Sequence, residues 1–262
     1  MVKAIFFDID GTLLSFKTHK IPKSTKLALM RAKEKGIKIF VATGRPKVDI
    51  LKVKELTDFP FDGFVTVNGQ YCYDKDETVL YEKYLDKEDV KNIFAFLKKN
   101  NLACHVILKE NIYETLINEK VKQLIELVGY DEAEIELKPL DSFLDKEIFQ
   151  LCPYLNPEDD EEFNKQLKNC KTMRWCDLFV DVIPKDGGKP EGIKKICEHY
   201  GIKQEEIMAF GDGENDCQML KYAKIGIAMG NASEKVKSCA DYVTDDVDEN
   251  GIENALKHFG II

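Results

Sequence analysis

The chain has 262 residues, 44% of them hydrophobic and 32% charged, with a formal net charge of -9. That length buries a sizeable core in one large domain or two smaller ones, and the charge balance lacks the basic footprint of a nucleic-acid binder. No apolar run approaches the roughly 20 residues of a membrane span, and the apolar run after Lys3 is too short for a signal-peptide core, so a cytoplasmic protein is expected, with no nucleic-acid or membrane partner, as a monomer or weak homo-oligomer.

The first part alternates strand and helix. Residues 4–7 form a short apolar run closed by Asp8-Ile9-Asp10-Gly11-Thr12, which reads as a buried strand entering a loop. Residues 24–35 carry helical spacing with Gly36 as the stop, and residues 37–42 read as a second strand ending in Thr43-Gly44-Arg45. Pro46 suits the first turn of a following helix. Residues 64–67 read as a third strand ending at Asn68-Gly69, and 71–73 with 78–81 as a hairpin around 74–77.

The middle differs. Helices are expected over 87–100, 119–128 and 158–167, with short strands near 103–108, 148–151, 171–175 and 178–183. This stretch has no recognisable catalytic spacing and is long enough for a small α+β domain. Strict alternation then returns. Residues 190–200 form a helix, 207–210 a strand closed by Gly211-Asp212-Gly213-Glu214-Asn215-Asp216, and a helix follows through Leu220. Strands at 225–229 and 242–244 alternate with helices at 233–238 and 252–258. Such alternation predicts an α/β fold, a doubly wound, mainly parallel, Rossmann-like sheet with an inserted α+β domain. The expected boundaries are 1–83 and 185–262 for the discontinuous core and 84–184 for the insertion.

Two carboxylates at the carboxyl edge of a central strand repel each other unless a cation joins them, and open α/β sheets bind ligands at that edge. Magnesium suits oxygen ligands and phosphate, and an aspartate can itself attack phosphorus. The alternative for Asp8–Thr12 is a turn, and for 211–216 a glycine-rich turn with a helix cap. Both acid clusters, however, follow apolar strands and lie more than 200 residues apart, so two unrelated turns are the poorer account. An EF-hand fails, because the loop position that needs glutamate is His19 when counted from Asp8. Thr43 offers a hydroxyl, Gly44 a close backbone approach, and the helix opening at Pro46 its positive end. Lys189 sits 23 residues before Asp212, just ahead of a helix. Eight cysteines are scattered without any CxxC spacing, which favours reduced thiols over a zinc site.

DIDGT, VATGR, GGK and GDGEND, in this order, resemble the four motifs of the haloacid dehalogenase superfamily, and the long insertion between the second and third resembles the large α/β (C2-type) cap of its Cof-type phosphatases. The resemblance implies that Asp8 is a nucleophile that becomes an aspartyl phosphate and that Asp10 is the general acid/base. It implies Thr43 as a phosphate-binding hydroxyl and Lys189 as the group balancing charge on nucleophile and phosphate. Asp8, the Asp10 carbonyl, Asp212 and, through water, Asp216 would hold Mg2+. Gly44, Arg45, Asn68 and Asn215 would bind substrate. The third-motif lysine is followed by Pro190 and Glu191 before Gly192, where many relatives have glycine at once. The implied activity is magnesium-dependent hydrolysis of small phosphorylated metabolites such as sugar phosphates. A phosphomutase and a non-catalytic sugar-phosphate sensor are the alternatives. The mixed α/β insertion argues against the first and the intact acids against the second. An ion-pump reading fails for want of an apolar run long enough to span a membrane. Trp175, Cys176 and Asp177, between two expected strands of the insertion, are candidates for leaving-group contacts, against an ordinary hairpin turn.

Overall fold

The computed structural model describes residues 1–128, 135–174 and 176–262. Chain contacts divide it into two compact units, Met1–Glu82 with Gly187–Ile262, and Lys83–Asp186. Strands β1 (Ala4–Phe7), β2 (Lys38–Ala42), β3 (Gly63–Thr66), β4 (Tyr71–Asp74) and β5 (Val79–Glu82) belong to the first unit. Strands β6 (Cys104–Ile107), β7 (Ile112–Glu114), β8 (Gln150–Pro153), β9 (Cys170–Met173) and β10 (Asp181–Pro184) belong to the second. Strands β11 (Ile207–Gly211), β12 (Ile225–Ala228) and β13 (Tyr242–Val243) return to the first.

In the first unit the strand order is β13-β12-β11-β1-β2-β3-β4-β5. Pairing is parallel from β13 to β3 and antiparallel through the β4–β5 hairpin. The central strands are apolar without alternation because both faces are covered. Ile5 and Phe7 face one cluster with Val41, Phe210 and the helices Lys23–Glu34 and Gly251–His258. Ala4 and Phe6 face the other, with Phe40, Ala209 and the helix Lys189–Tyr200. Phe7 stacks on Phe210 and Phe6 on Phe40, each pair at 4.8 Å between ring centroids. Burying one such ring is worth roughly 1.5–3 kcal/mol. The packing holds β1 rigidly between β11 and β2, so the chain order reverses at β1. That is where ligands bind in doubly wound sheets.

The second unit is a five-stranded antiparallel sheet ordered β7-β6-β8-β10-β9. The helix Lys87–Lys99 opens at Asp86, whose side chain accepts from the amides of Glu88 and Asp89. Its Ile93, Phe94 and Leu97 pack with Val106, Leu151 and Val182 from one face of the sheet. Asp89 is buried there, yet the amides of Lys168, Asn169 and Cys170 bond its carboxylate. Burial works against its charge, but these three donors hold it below the usual carboxylate range.

Several expected elements differ in extent. The helix expected over 158–167 is a 3-10 turn Pro157–Asp159 followed by the short helix Asp160–Asn164. The strand expected to end at 175 stops at Met173, and the one expected to begin at 178 begins at Asp181. The cause is Arg174. Its guanidinium takes the carbonyls of Cys176 and Phe179 and both carboxylate oxygens of Asp160, which draws the segment out of strand pairing. Trp175 lies outside the described residues. Strand β7 has no counterpart in the sequence reading. Among the described residues, no helix is long and apolar enough to cross a membrane.

Candidate active site

Four loops leave the carboxyl ends of adjacent parallel strands. The β1 loop is tied by Leu13 N to Asp8 O at 3.3 Å and Leu14 N to Ile9 O at 2.7 Å. Buried Ile9, Leu13 and Leu14 anchor it, which leaves Asp8, Asp10 and Thr12 to the loop's polar work. Gly11 has φ +81, and a Cβ there would come within 2.2 Å of Asp212 Oδ2. Only glycine lets the two acidic loops approach this closely.

Lys189, the first residue of its helix, is fully buried, and its ammonium joins the loops. Nζ donates to Asp8 Oδ1 at 2.6 Å and to Asp216 Oδ1 at 2.5 Å. The other oxygen of Asp216 accepts from the amides of Asp212 and Gly213, at 3.0 and 2.9 Å. Thr12 Oγ1 donates to Asp212 Oδ1 at 2.7 Å. Asn231 Nδ2 donates to the Gly11 carbonyl at 2.9 Å. Asp8, Asp212 and Asp216 each present a carboxylate oxygen within 4.8 Å of the others.

The electrostatics follow from three carboxylates around one ammonium. Asp8 is pushed well above the usual carboxylate range, first by burial and then by Asp216, with Lys189 pulling the other way. Asp212 is pushed up to about 7, again by burial and then by Asp216. Burial alone would lower Lys189, but Asp216 and Asp8 outweigh it and hold it charged. The cluster therefore carries more negative charge than its lysine compensates. Hard carboxylate oxygens in excess of their counter-charge fit a magnesium ion.

A second group forms beside it. Thr43 is buried, and its hydroxyl accepts from Arg45 N at 3.0 Å. Asn68 N donates to the Thr43 carbonyl at 2.9 Å, and Asn215 Nδ2 lies 3.4 Å from Asn68 Oδ1. A Cβ on Gly44 would stand 3.3 Å from that same oxygen, so Thr43, Gly44, Asn68 and Asn215 meet around one amide. The Arg45 side chain goes elsewhere. It grips Asp10 with Nε to Oδ2 at 2.8 Å and Nη2 to Oδ1 at 2.7 Å. The structure thus gathers Asp8, Lys189, Asp212 and Asp216 in one cluster, and places the Asp10 carboxylate on Arg45.

Thr12, Gly11 and Asn231 support the acids and carry no role in the sequence reading. Thr12 and Gly11 lie inside the first motif, so their spacing was visible; Asn231 had no local signal. Gly192 explains the unusual spacing after the third-motif lysine. A Cβ there would meet Val65 Cγ1 at 2.5 Å and Gly69 Cα at 2.9 Å, so the helix packs against β3 through a residue without a side chain.

Comparison with known proteins bears on the same residues. The family model for haloacid dehalogenase-like hydrolases matches residues 5–256. A structure of a sugar phosphatase of subclass IIB, BT4131, superposes with a TM-score of 0.93 at 45% identity, covering 100% of both chains. BT1666 from Bacteroides thetaiotaomicron, described among the phosphatases of that superfamily, superposes at 0.92 with 38% identity over 100% of this chain and 96% of its own. YkrA of Bacillus subtilis is 32% identical over 268 residues, 99% of this chain and 98% of that protein. A match that spans both acidic loops, the buried lysine and the inserted unit means that the chain belongs to the haloacid dehalogenase-like hydrolases, among their Cof-type phosphatases.

Proposed function

We propose that this phosphatase is magnesium-dependent and hydrolyses small phosphorylated metabolites, sugar monophosphates in particular, through an aspartyl phosphate on Asp8. The observation that carries the reading is the buried Lys189 bridging Asp8 and Asp216 beside Asp212, a cluster left with excess negative charge. Similarity to a sugar phosphatase over the whole chain supports the substrate class. A Bacillus subtilis relative, 27% identical over 267 residues, is a phosphatase of 5-amino-6-(5-phospho-D-ribitylamino)uracil, whose leaving group is likewise a polyol derivative.

Asp8, Asp212 and Asp216, with the Asp10 carbonyl, would hold the magnesium ion. When bound, the ion supplies positive charge that offsets the phosphoryl oxygens. Lys189 fixes Asp8 Oδ1, which turns the other carboxylate oxygen toward phosphorus for in-line attack. Thr43, the amide edge of Gly44 and the Asn68 and Asn215 side chains would bind the phosphoryl oxygens. Arg45 would pass from Asp10 to the phosphate, which frees the Asp10 carboxyl to carry a proton. Asp10 would give that proton to the leaving oxygen as the ester bond breaks, then take one from water as water attacks the aspartyl phosphate. General acid–base help of this kind contributes typically about 10²–10⁴-fold.

The test is phosphate release from a panel of sugar monophosphates, nucleotides and phosphorylated cofactors, with Asp8→Asn as the control. Loss of the nucleophile should lower turnover by at least about 10⁴-fold, while the melting temperature holds or rises because a buried, repelled carboxylate is gone. An Asp8→Asn protein that released phosphate near the wild-type rate would remove Asp8 from the mechanism.

A further inference from the structure

Two of the cysteines meet in the first unit, with no part in the chemistry above. Cys217 opens the short helix Cys217–Tyr222, and Cys239 lies just beyond the helix Glu234–Lys237. The Cys217 thiol is hydrogen-bonded to Cys239, and Cys239 Sγ in turn lies 3.3 Å from the Lys235 carbonyl. Lys235 Nζ holds Glu214 Oε2 at 2.6 Å, so the helix that leads to one cysteine is tied to the loop that precedes the other. Cys239 also lines a cavity of about 640 Å³ together with Leu220 and Lys221. Lys221 stands one helical turn after Cys217, on the same face. Separate contacts thus bring the two sulfurs together from different elements.

Both are half-buried, whereas Cys72 and Cys197 of the same unit are buried, so this pair is open to a small reagent from solvent. Lys235 brings positive charge to both sulfurs and Lys221 to Cys217, the kind of surroundings in which thiols react. Burial, and then the bond to Cys239, push the Cys217 thiol up to about 12, which leaves Cys239 to react first. The neighbour of Cys217 gives the pair its consequence. Asp216 directly precedes it, with one carboxylate oxygen on Lys189 Nζ and the other on the amides of Asp212 and Gly213. A disulfide needs its sulfurs at about 2.05 Å, well inside hydrogen-bond distance. Closing it draws the start of the helix, and Asp216 with it, toward Cys239.

We propose that Cys217 and Cys239 are an oxidation site, at which a peroxide converts the two thiols to a disulfide that displaces Asp216 and slows the phosphatase. Hydrogen peroxide oxidises Cys239 to a sulfenic acid: an S–O bond forms, the O–O bond breaks, and one water leaves. Cys217 Sγ then attacks that sulfur. The S–S bond forms, the S–O bond breaks, and the hydroxide departs with the Cys217 proton as a second water. The disulfide concerns the thiols alone, while the slowing rests on the phosphatase reading.

The experiment treats the full chain with hydrogen peroxide and maps its unreduced peptides by mass spectrometry. Phosphate release and magnesium affinity by calorimetry are followed before and after. A peptide linked through Cys217 and Cys239 is expected. Magnesium affinity should fall at least about tenfold, the scale of a displaced supporting contact, turnover should fall about as much, and dithiothreitol should restore both. Cys239→Ser should keep the basal affinity and turnover and lose neither to peroxide. Cys217→Ser should do the same, and it serves if Cys239→Ser melts early. Calorimetry needs no substrate, so loss of the ion on oxidation separates this proposal from failure of the phosphatase reading. Absence of the linked peptide would overturn the oxidation site. A linked peptide with affinity and turnover unchanged, or equal losses to peroxide in wild type and both folded serine variants, would overturn its effect through Asp216.

Discussion

Replacing Lys189 by methionine tests whether charge, and not packing, organises the acidic cluster. Methionine keeps the length and most of the volume of the lysine stem, so the cavity it leaves is small. What it removes is an ammonium 2.6 Å from Asp8 and 2.5 Å from Asp216. Both carboxylates are buried, and a buried ion pair broken on one side typically costs about 3–5 kcal/mol. At roughly 2–4 °C per kcal/mol for a chain of this size, the melting temperature should fall by about 6–20 °C.

The deficit should also depend on pH in a definite direction. Asp8 in the folded protein already stands well above its ordinary value, through burial and then Asp216, although Lys189 opposes them. Without the lysine it rises further. A carboxyl raised on folding contributes stability that is full below its unfolded pKa and is lost as pH rises through the folded pKa. The gap between wild type and Lys189→Met should therefore be widest near pH 8 and shrink toward pH 5, as the folded variant takes up the proton that replaces the lysine's charge. Thermal unfolding in chelator at the two pH values reads this directly. A deficit of equal size at both would show that the lost stem, and not the lost charge, sets the cost, and the electrostatic account of the cluster would fail.

Magnesium affinity should follow Asp212, which is held up to about 7 by burial and then Asp216. Binding must displace its proton and any on Asp8, whose carboxyl burial and then Asp216 also push well above the usual range, so affinity should drop at least about tenfold per pH unit below 7, and calorimetry in buffers of different ionisation enthalpy should count one proton or more released there. A flat profile across that range would contradict it. Thr12→Val removes the 2.7 Å hydrogen bond that orients Asp212; a supporting contact of this kind is worth roughly 10–100-fold in metal affinity or activity, and an unchanged magnesium requirement would dismiss the role. Gly192→Ala should destabilise by about 1–3 kcal/mol, because its Cβ would press on Val65 and on the Gly69 backbone, and should lower kcat through Lys189, three residues earlier in the same helix. Equal stability and rate, measured by melting and phosphate release, would count against that coupling.

The core sheet was legible because its central strands are buried on both faces. Residues 4–7 and 207–210 have no polar positions to alternate, so each stands out as an apolar run stopped by aspartate or glycine. The inserted unit was less legible because its boundaries depend on side chains from elsewhere in the chain. Nothing in residues 174–180 announces that Arg174 will spend its guanidinium on Asp160 and on two carbonyls of its own loop. Strand β7 is three residues long and finds its place by pairing with β6 and by a bridge from Glu114 to Leu137, both distant in sequence pattern from any local signal. Local pattern has little to say about either.

The candidate site was legible in position and less so in its internal bonding, and the difference has an electrostatic cause. Motif spacing places acids at the ends of β1 and β11, but which cation each acid meets is decided in three dimensions. Lys189 and Arg45 are both near, and they divide the carboxylates between them, Lys189 taking Asp8 and Asp216 and Arg45 taking Asp10. Asp212 is left with the neutral donors Thr12 and Asn231, which cannot cancel its charge. Counting the cluster, Asp8, Asp212 and Asp216 carry three negative charges against one on Lys189, a net of about minus two when all are ionised. A phosphate dianion would be repelled by such a site. A divalent cation brings the balance to zero, and Arg45 moving from Asp10 would add one positive charge at the phosphate. An acid-rich pocket can thus receive an anion, but only if its positive groups are deployed in that way, and Lys189 is the single one of them that the fold fixes in advance.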